Sequence, residues 1–277
     1  MSTAVRTLRR ATLEDLRAEI DAIDESLHDL LMRRAGLAAD IARLKSAAPG
    51  AGGAFFRPGR EAAVIRRILA RHRGAFPAAA LVRIWREMMS ALLGLQAPLT
   101  FAAGTGALVE IAREHFGSGA TLVRRSGPVG AVRAVAHGRA TAAVVPWPAA
   151  KGDGEWWRAL LKSGAPRVVA ALPVVGVGPQ AVVVAAAAPE PSGDDRTFVA
   201  VSTPRALTRP KLGRALDAAG LEGGLVVGHA GVSLIDVSGF LSDSAPSLRP
   251  LALSLGAKSV RVLGAYACPF RPRGDQL

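Results

Sequence analysis

LRAEIDAIDESLHDLLMRRAGLAADIARLK, residues 16–45, is the stretch whose reading decides how the first part of the chain folds. Together with Leu13 just before it, its apolar residues fall at Leu16, Ile20, Ile23, Leu27 and Leu30, then at Leu37, Ile41 and Leu44. Steps of three and four alternate, which is the signature of a long amphipathic helix. Thr12 stands where a cap is needed, Glu14 and Asp15 occupy the first turn, and only Gly36 interrupts helix-forming residues up to Ala47. The position that continues the series after Leu30 is Arg34. An unpaired cation buried on that seam would cost several kcal/mol, so an anionic partner is expected there. A helix of about 36 residues is roughly 54 Å long, more than two shorter helices of the same chain can cover. The expectation is therefore a second copy of the chain and an intertwined helical dimer.

Working outward, Pro49 to Gly59 reads as a Gly/Ala/Pro loop, and Pro58 suits the first turn of a second helix running to about His72. A third helix is predicted from near Pro77 to before Pro98. Its apolar face is read as Leu81, Ile84, Trp85, Met88, Leu92 and Leu95, closed by Gln96. Beyond Pro98 the texture changes. Short β-prone runs (TFAAG, ATLVRR, TAAVVPW, RVVAALPVVGVG, QAVVVAAAA) alternate with helical stretches at Ala107 to Phe116 and Gly127 to His137, an α/β pattern. After the linker APEPSGDD a final segment reads strand (Thr197 to Ser202), helix (Lys211 to Ala219), strands (Leu225 to Val227 and Val232 to Gly239), helix (Pro246 to Leu255) and strand (Ser259 to Leu263). That order predicts a small ferredoxin-like α+β unit.

Bulk properties narrow the function. A chain of 277 residues suits two or three modest domains. No apolar run reaches the roughly 18 residues of a membrane span, and MSTAVRTLRRATLEDL has no apolar signal core, so the expectation is a cytoplasmic protein with no membrane partner. The single cysteine, Cys268, leaves no internal disulfide and no cysteine-based metal cluster. The formal charge of +13 comes from scattered arginines with neither nucleic-acid motif nor aromatic interleaving. A small dianionic substrate would also favour such a positive field.

The residues that periodicity leaves unexplained are polar: those of the first helix, RPGRE (57–61) at the start of the second, and the end of IWREMMSALLGLQ (84–96). In order and approximate spacing, residues 12–97 resemble the all-helical chorismate mutase family. By that resemblance Arg17, Arg34, Lys45, Arg60, Glu61 and Gln96 fall on active-site positions. Simple helix geometry is consistent with it. Arg34 and Lys45, 11 residues apart, lie within about 20° on one face and about 16 Å apart. Arg17 lies about 25 Å from Arg34 and about 100° around the helix, so a partner helix would have to deliver it, as the family's dimers do. The implied reaction is the rearrangement of chorismate to prephenate, without covalent intermediate, cofactor or metal. Arg17 and Arg34 would hold the two carboxylates, Lys45 and Gln96 would donate to the ether oxygen, and Glu61 would hold the ring hydroxyl. Arg60 would orient the loop and add positive potential.

Each assignment has a plainer alternative: Arg17 paired with Asp21, Glu61 complementing a helix N-terminus, Gln96 ending a helix. Two departures from the family stand out. Leu92 occupies a position that often carries a small hydroxyl residue near a substrate carboxylate. Arg57, also a candidate substrate-binding residue, stands where a close relative often has an acidic residue whose backbone can contact the substrate hydroxyl.

The rest of the chain resembles a truncated prephenate dehydratase domain (98–190) followed by an ACT regulatory domain (196–271). The first likeness rests on TFAAGTGALVEIAREHFG and GAVRAVAHGRATAAVVPWP, the second on FVAVSTPRAL, VSLIDVSGFL and SVRVLGAYACP. PWPAA and PQAVVVAAAA replace the dehydratase's Glu-Asn-Ser and Thr-Arg-Phe segments, and about half its usual length is absent, so no dehydratase activity is expected. The ACT Gly-Ala-Leu turn appears as Arg205, Ala206 and Leu207, and its Glu-Ser-Arg-Pro segment as about Val227 to Ala230. Amino-acid binding is therefore not expected, and a structural or dimerising role is. Gly104 to Gly106 lacks the context of a phosphate-binding loop. Two competing readings remain: an isochorismate pyruvate lyase in the same helical fold, and a non-catalytic protein that binds an aromatic metabolite or regulates a partner.

Overall fold

The computed structural model describes residues 12–47, 55–104, 106–150, 152–229 and 231–271. The chain forms two compact units, Met1–Gly53 and Ala54–Leu277. Among its described residues the first contains one helix, α1 (Leu13–Ala47), opened by a reciprocal cap. The Thr12 N–H donates to Asp15 Oδ2 at 2.8 Å and the Asp15 N–H to Thr12 Oγ1 at 3.1 Å. This arrangement satisfies two of the donors that a helix start leaves open.

The second unit begins with α2 (Pro58–Arg71) and α3 (Ala78–Gly94), so two of the three helices grouped by the sequence share a unit with the sheet. There follow β1 (Thr100–Ala103), α4 (Ala107–Phe116), β2 (Thr121–Arg124), α5 (Gly127–Ala136) and β3 (Ala142–Pro146). A 3₁₀ stretch, Gly152–Leu161, which the sequence reading leaves unassigned, precedes β4 (Arg167–Leu172) and β5 (Ala181–Ala185). The chain then runs β6 (Asp195–Ser202), α6 (Arg209–Ala218), β7 (Gly223–His229), β8 (Val232–Ser238), α7 (Leu248–Leu255) and β9 (Ser259–Ala267). Every strand predicted beyond Pro98 is present within a few residues of its expected bounds. Among the described residues no helix is long and apolar enough to cross a membrane.

The strands form one sheet in the order β2-β1-β3-β5-β4-β9-β6-β8-β7. Its last four strands, with α6 and α7, make a βαββαβ unit whose neighbours all pair antiparallel. The sequence divides this region into two domains, whereas the sheet runs through both. Val168 of β4 pairs parallel with Gly264 of β9, and Phe270 donates to the Val174 carbonyl at 2.7 Å just beyond. Gly264 makes the junction possible. Its φ is +138°, and a Cβ there would sit 2.1 Å from the Val168 carbonyl oxygen, a separation no side chain tolerates. Aromatic packing reinforces the join, with Trp147 5.2 Å from Phe198 and 5.9 Å from Tyr266 between ring centroids. Trp156 and Trp157, both fully buried, lie in the same core.

Candidate active site

On α1 the apolar seam is exposed from end to end, from Leu13 at 65% to Leu44 at 73%. The half-buried side chains are instead Arg34, Ala35, Ala38, Ala42 and Lys45. Arg34, Ala38, Ala42 and Lys45 recur at steps of four, four and three, so the two candidate cations share one shielded strip. Desolvation holds the Arg34 guanidinium below its ordinary pKa. The three alanines lie between the two cations on that strip. Arg17 lies outside it, exposed, and among the described residues it forms no ion pair with Asp21.

At the start of α2, Pro58 and Gly59 are buried, and a Cβ on Gly59 would meet the Glu190 carbonyl oxygen at 2.3 Å. The helix thus seats its first turn on the segment read as a linker. Arg57 spends its side chain on Glu190, with Nε donating at 2.8 Å, and Arg66 donates to Asp194 at 3.1 Å and lies over the Phe270 ring at 4.9 Å. Arg60 is exposed. Glu61 pairs with Arg86 of α3, Nη1 to Oε2 at 2.7 Å, the two side chains being only 14% and 7% exposed.

The face of α3 read as apolar is not the one this chain buries. The buried residues are Ala78, Val82, Arg86, Met89 and Leu93, and in the expected stripe Ile84 and Leu95 are 52% and 76% exposed. Leu81, Trp85, Met88 and Leu92 are half-buried, with Trp85 packed against Ile65, Val82 and Met89. The helix has two apolar faces, and the one of smaller side chains admits closer packing on the sheet-bearing body. Gln96, just past the helix, is half-buried and donates its amide N–H to the Leu92 carbonyl at 3.2 Å.

Arg86 and His115 are residues the sequence reading missed. Arg86 donates from Nε to the His115 carbonyl at 3.0 Å and from Nη2 to His115 Nε2 at 2.7 Å. Ser90 donates to the Phe116 carbonyl, and Glu87 accepts from the Ser118 N–H at 3.1 Å. One face of α3 therefore satisfies the open carbonyls at the end of α4, where a cation is also favoured by the helix dipole. Burial, and then the Arg86 charge, press the His115 pKa well below its usual value, so its ring is neutral. Arginine inside an apolar helical pattern was the available signal, and its partner lay 29 residues away.

In the second half, Trp147 of the PWPAA segment is half-buried and packs against the core. Arg205 is exposed, and its carbonyl accepts from Thr203 Oγ1 at 2.7 Å. Thr105, within the Gly104 to Gly106 turn, and Ala230, at the end of the Val227 to Ala230 segment, lie outside the described residues.

The chain is 37% identical over 139 residues to the bifunctional chorismate mutase/prephenate dehydratase of Pseudomonas aeruginosa, covering 48% of this chain and 38% of that one. It is 42% identical over 86 residues to the protein of the same description from Neisseria gonorrhoeae, covering 31% and 22%. It thus spans well under half the length of these relatives. Among solved structures, prephenate dehydratase from Streptococcus mutans aligns with a TM-score of 0.44 at 17% identity, covering 63% of this chain and 100% of that chain. The helical segment has its own match: residues 16–97 fit the family described as chorismate mutase type II.

Proposed function

We propose that this chain is a homodimeric chorismate mutase, converting chorismate to prephenate for phenylalanine and tyrosine synthesis. The observation that carries the reading is the shielded Arg34–Lys45 strip, on a helix otherwise exposed, inside the segment that fits the mutase family. A pericyclic rearrangement asks for no nucleophile and no proton transfer. It asks for a site that holds a flexible dianion in its compact shape and stabilises charge developing on the breaking ether oxygen. Arg34 would grip one carboxylate with its fork, helped by the desolvation that strengthens any charge it meets. Lys45 and Gln96 would donate to the ether oxygen, Glu61 would accept from the ring hydroxyl, and Arg60 would add positive potential.

Arg17 belongs to this site only if a second chain supplies it. Supporting that assembly are the exposed seam of α1 and the exposed part of the α3 stripe. Covering nine seam residues of α1 would contribute on the order of 10 kcal/mol, enough to set against the cost of association. In the second half, the βαββαβ order is what an ACT-like unit would have, and Trp147 in the shared core favours loss of dehydratase activity. The role left for residues 98–271 is structural.

The test follows chorismate loss and prephenate formation by the purified chain. Lys45→Ala should lower turnover by roughly 10²- to 10³-fold. Activity that survives this change intact rejects the mechanism, and pyruvate released in place of prephenate transfers the reading to the lyase.

A further inference from the structure

We infer that Arg86 and His115 are positioning residues for Glu61, so that the sheet-bearing body, through α4, sets the carboxylate that receives the substrate's ring hydroxyl. This rests on the mutase reading above and adds to it a requirement from outside the helical segment, because His115 lies beyond residues 16–97.

Burying a charged pair is favourable only when geometry is good and the remaining donors are satisfied. Arg86 meets both conditions with one planar fork: Nη1 to Glu61 Oε2 at 2.7 Å, Nη2 to His115 Nε2 at 2.7 Å and Nε to the His115 carbonyl at 3.0 Å. Three donors of fixed relative orientation, gripping two acceptors on α4, leave the third little freedom. Glu61 is thereby fixed relative to α4. The His115 ring can accept from Arg86 only when Nε2 carries no proton, which the neutral ring provides in its Nδ1–H tautomer.

The pairing commits one oxygen of the carboxylate. Among the described residues the Glu61 side chain makes no other hydrogen bond or ion pair, so Oε1 remains to accept from a hydroxyl. Arg83, Glu114 and Cys268 line the two small cavities that Arg86 and His115 also line, and Arg57 and Arg60 stand on α2 itself. Glu190 is taken by Arg57. None of these groups is bonded to the Glu61 side chain, so its orientation depends on Arg86.

The experiment measures kcat/KM for chorismate in the full chain. Arg86→Gln keeps hydrogen-bonding capacity but drops the charge, and is expected to lose roughly 10²-fold. Arg86→Lys should recover only part of the loss. His115→Leu should act in the same direction by a smaller factor, while His115→Gln, whose side-chain oxygen can still accept from Arg86, should recover most of it. In a Glu61→Gln background, Arg86→Gln should cost little more, because both act through one contact. If Arg86→Gln does not fold, the two His115 variants decide. Equal losses with and without Glu61, or His115→Gln no better than His115→Leu, overturn the positioning role while leaving an active wild type as a mutase. An inactive wild type overturns the mutase reading and this inference with it.

Discussion

Helices α1 and α3 are both amphipathic by sequence, and the structure treats them differently. Helix α3 has two apolar faces and buries the one formed by Ala78, Val82, Met89 and Leu93, with Arg86 among them. The seam of α1 stays exposed along its whole length, and its shielded side chains are two cations and three alanines. Amphipathicity therefore says that a helix needs a partner without saying which partner. For α3 the chain is its own partner on one side. In the proposed dimer the seam of α1 would be covered by a second copy, since isolated helices draw little stability from propensity alone.

The largest effect that could break this comparison concerns the shared site. Arg17→Ala and Arg34→Ala should each lower chorismate turnover by roughly 10²- to 10³-fold, and mixing the two proteins should restore part of it. No recovery after verified subunit exchange would mean that α1 meets something other than its own copy. Adjacent methionines sharpen the contrast within α3. Met89→Ala, on the buried face, should cost about 2–3 kcal/mol in urea unfolding, whereas Met88→Ala should cost under about 1 kcal/mol and show its effect in sedimentation as weaker self-association. A further effect is pH dependence at the α3–α4 anchor. His115 is neutral when folded, and the unfolded chain takes up a proton as pH falls through about 6.5. Its contribution is thus complete above that pH and is lost below it, at up to about 1.4 kcal/mol per pH unit until the folded ring protonates. Thermal unfolding from pH 7 to 5 should show a shallower dependence for His115→Gln.

Much of the candidate site was legible because its signals are local anomalies in a regular pattern. Arg34 interrupts a seam, and Thr12 and Asp15 announce a helix start three residues apart. Glu61 was legible as a position but not as a partner, because Arg86 comes from the next helix. Arg57 read as a departure from the family, and the structure gives it a definite role in tying α2 to Glu190. The stretch read as a linker is where α2 seats, since the buried Gly59 backbone admits the Glu190 carbonyl. No composition rule separates such a segment from a free connection.

By itself the sequence determined the seven helices and nine strands of the described residues, with the single exception of the 3₁₀ stretch, because periodicity, caps and turn residues act over a few positions. Only the tertiary structure decided which face of α3 lies inside, that Arg86 bridges Glu61 to His115, and that β4 and β9 fuse two expected sheets into one at Gly264. These choices join residues tens of positions apart, and they rest on shape and on the need to satisfy buried polar groups, neither of which leaves a period in the sequence.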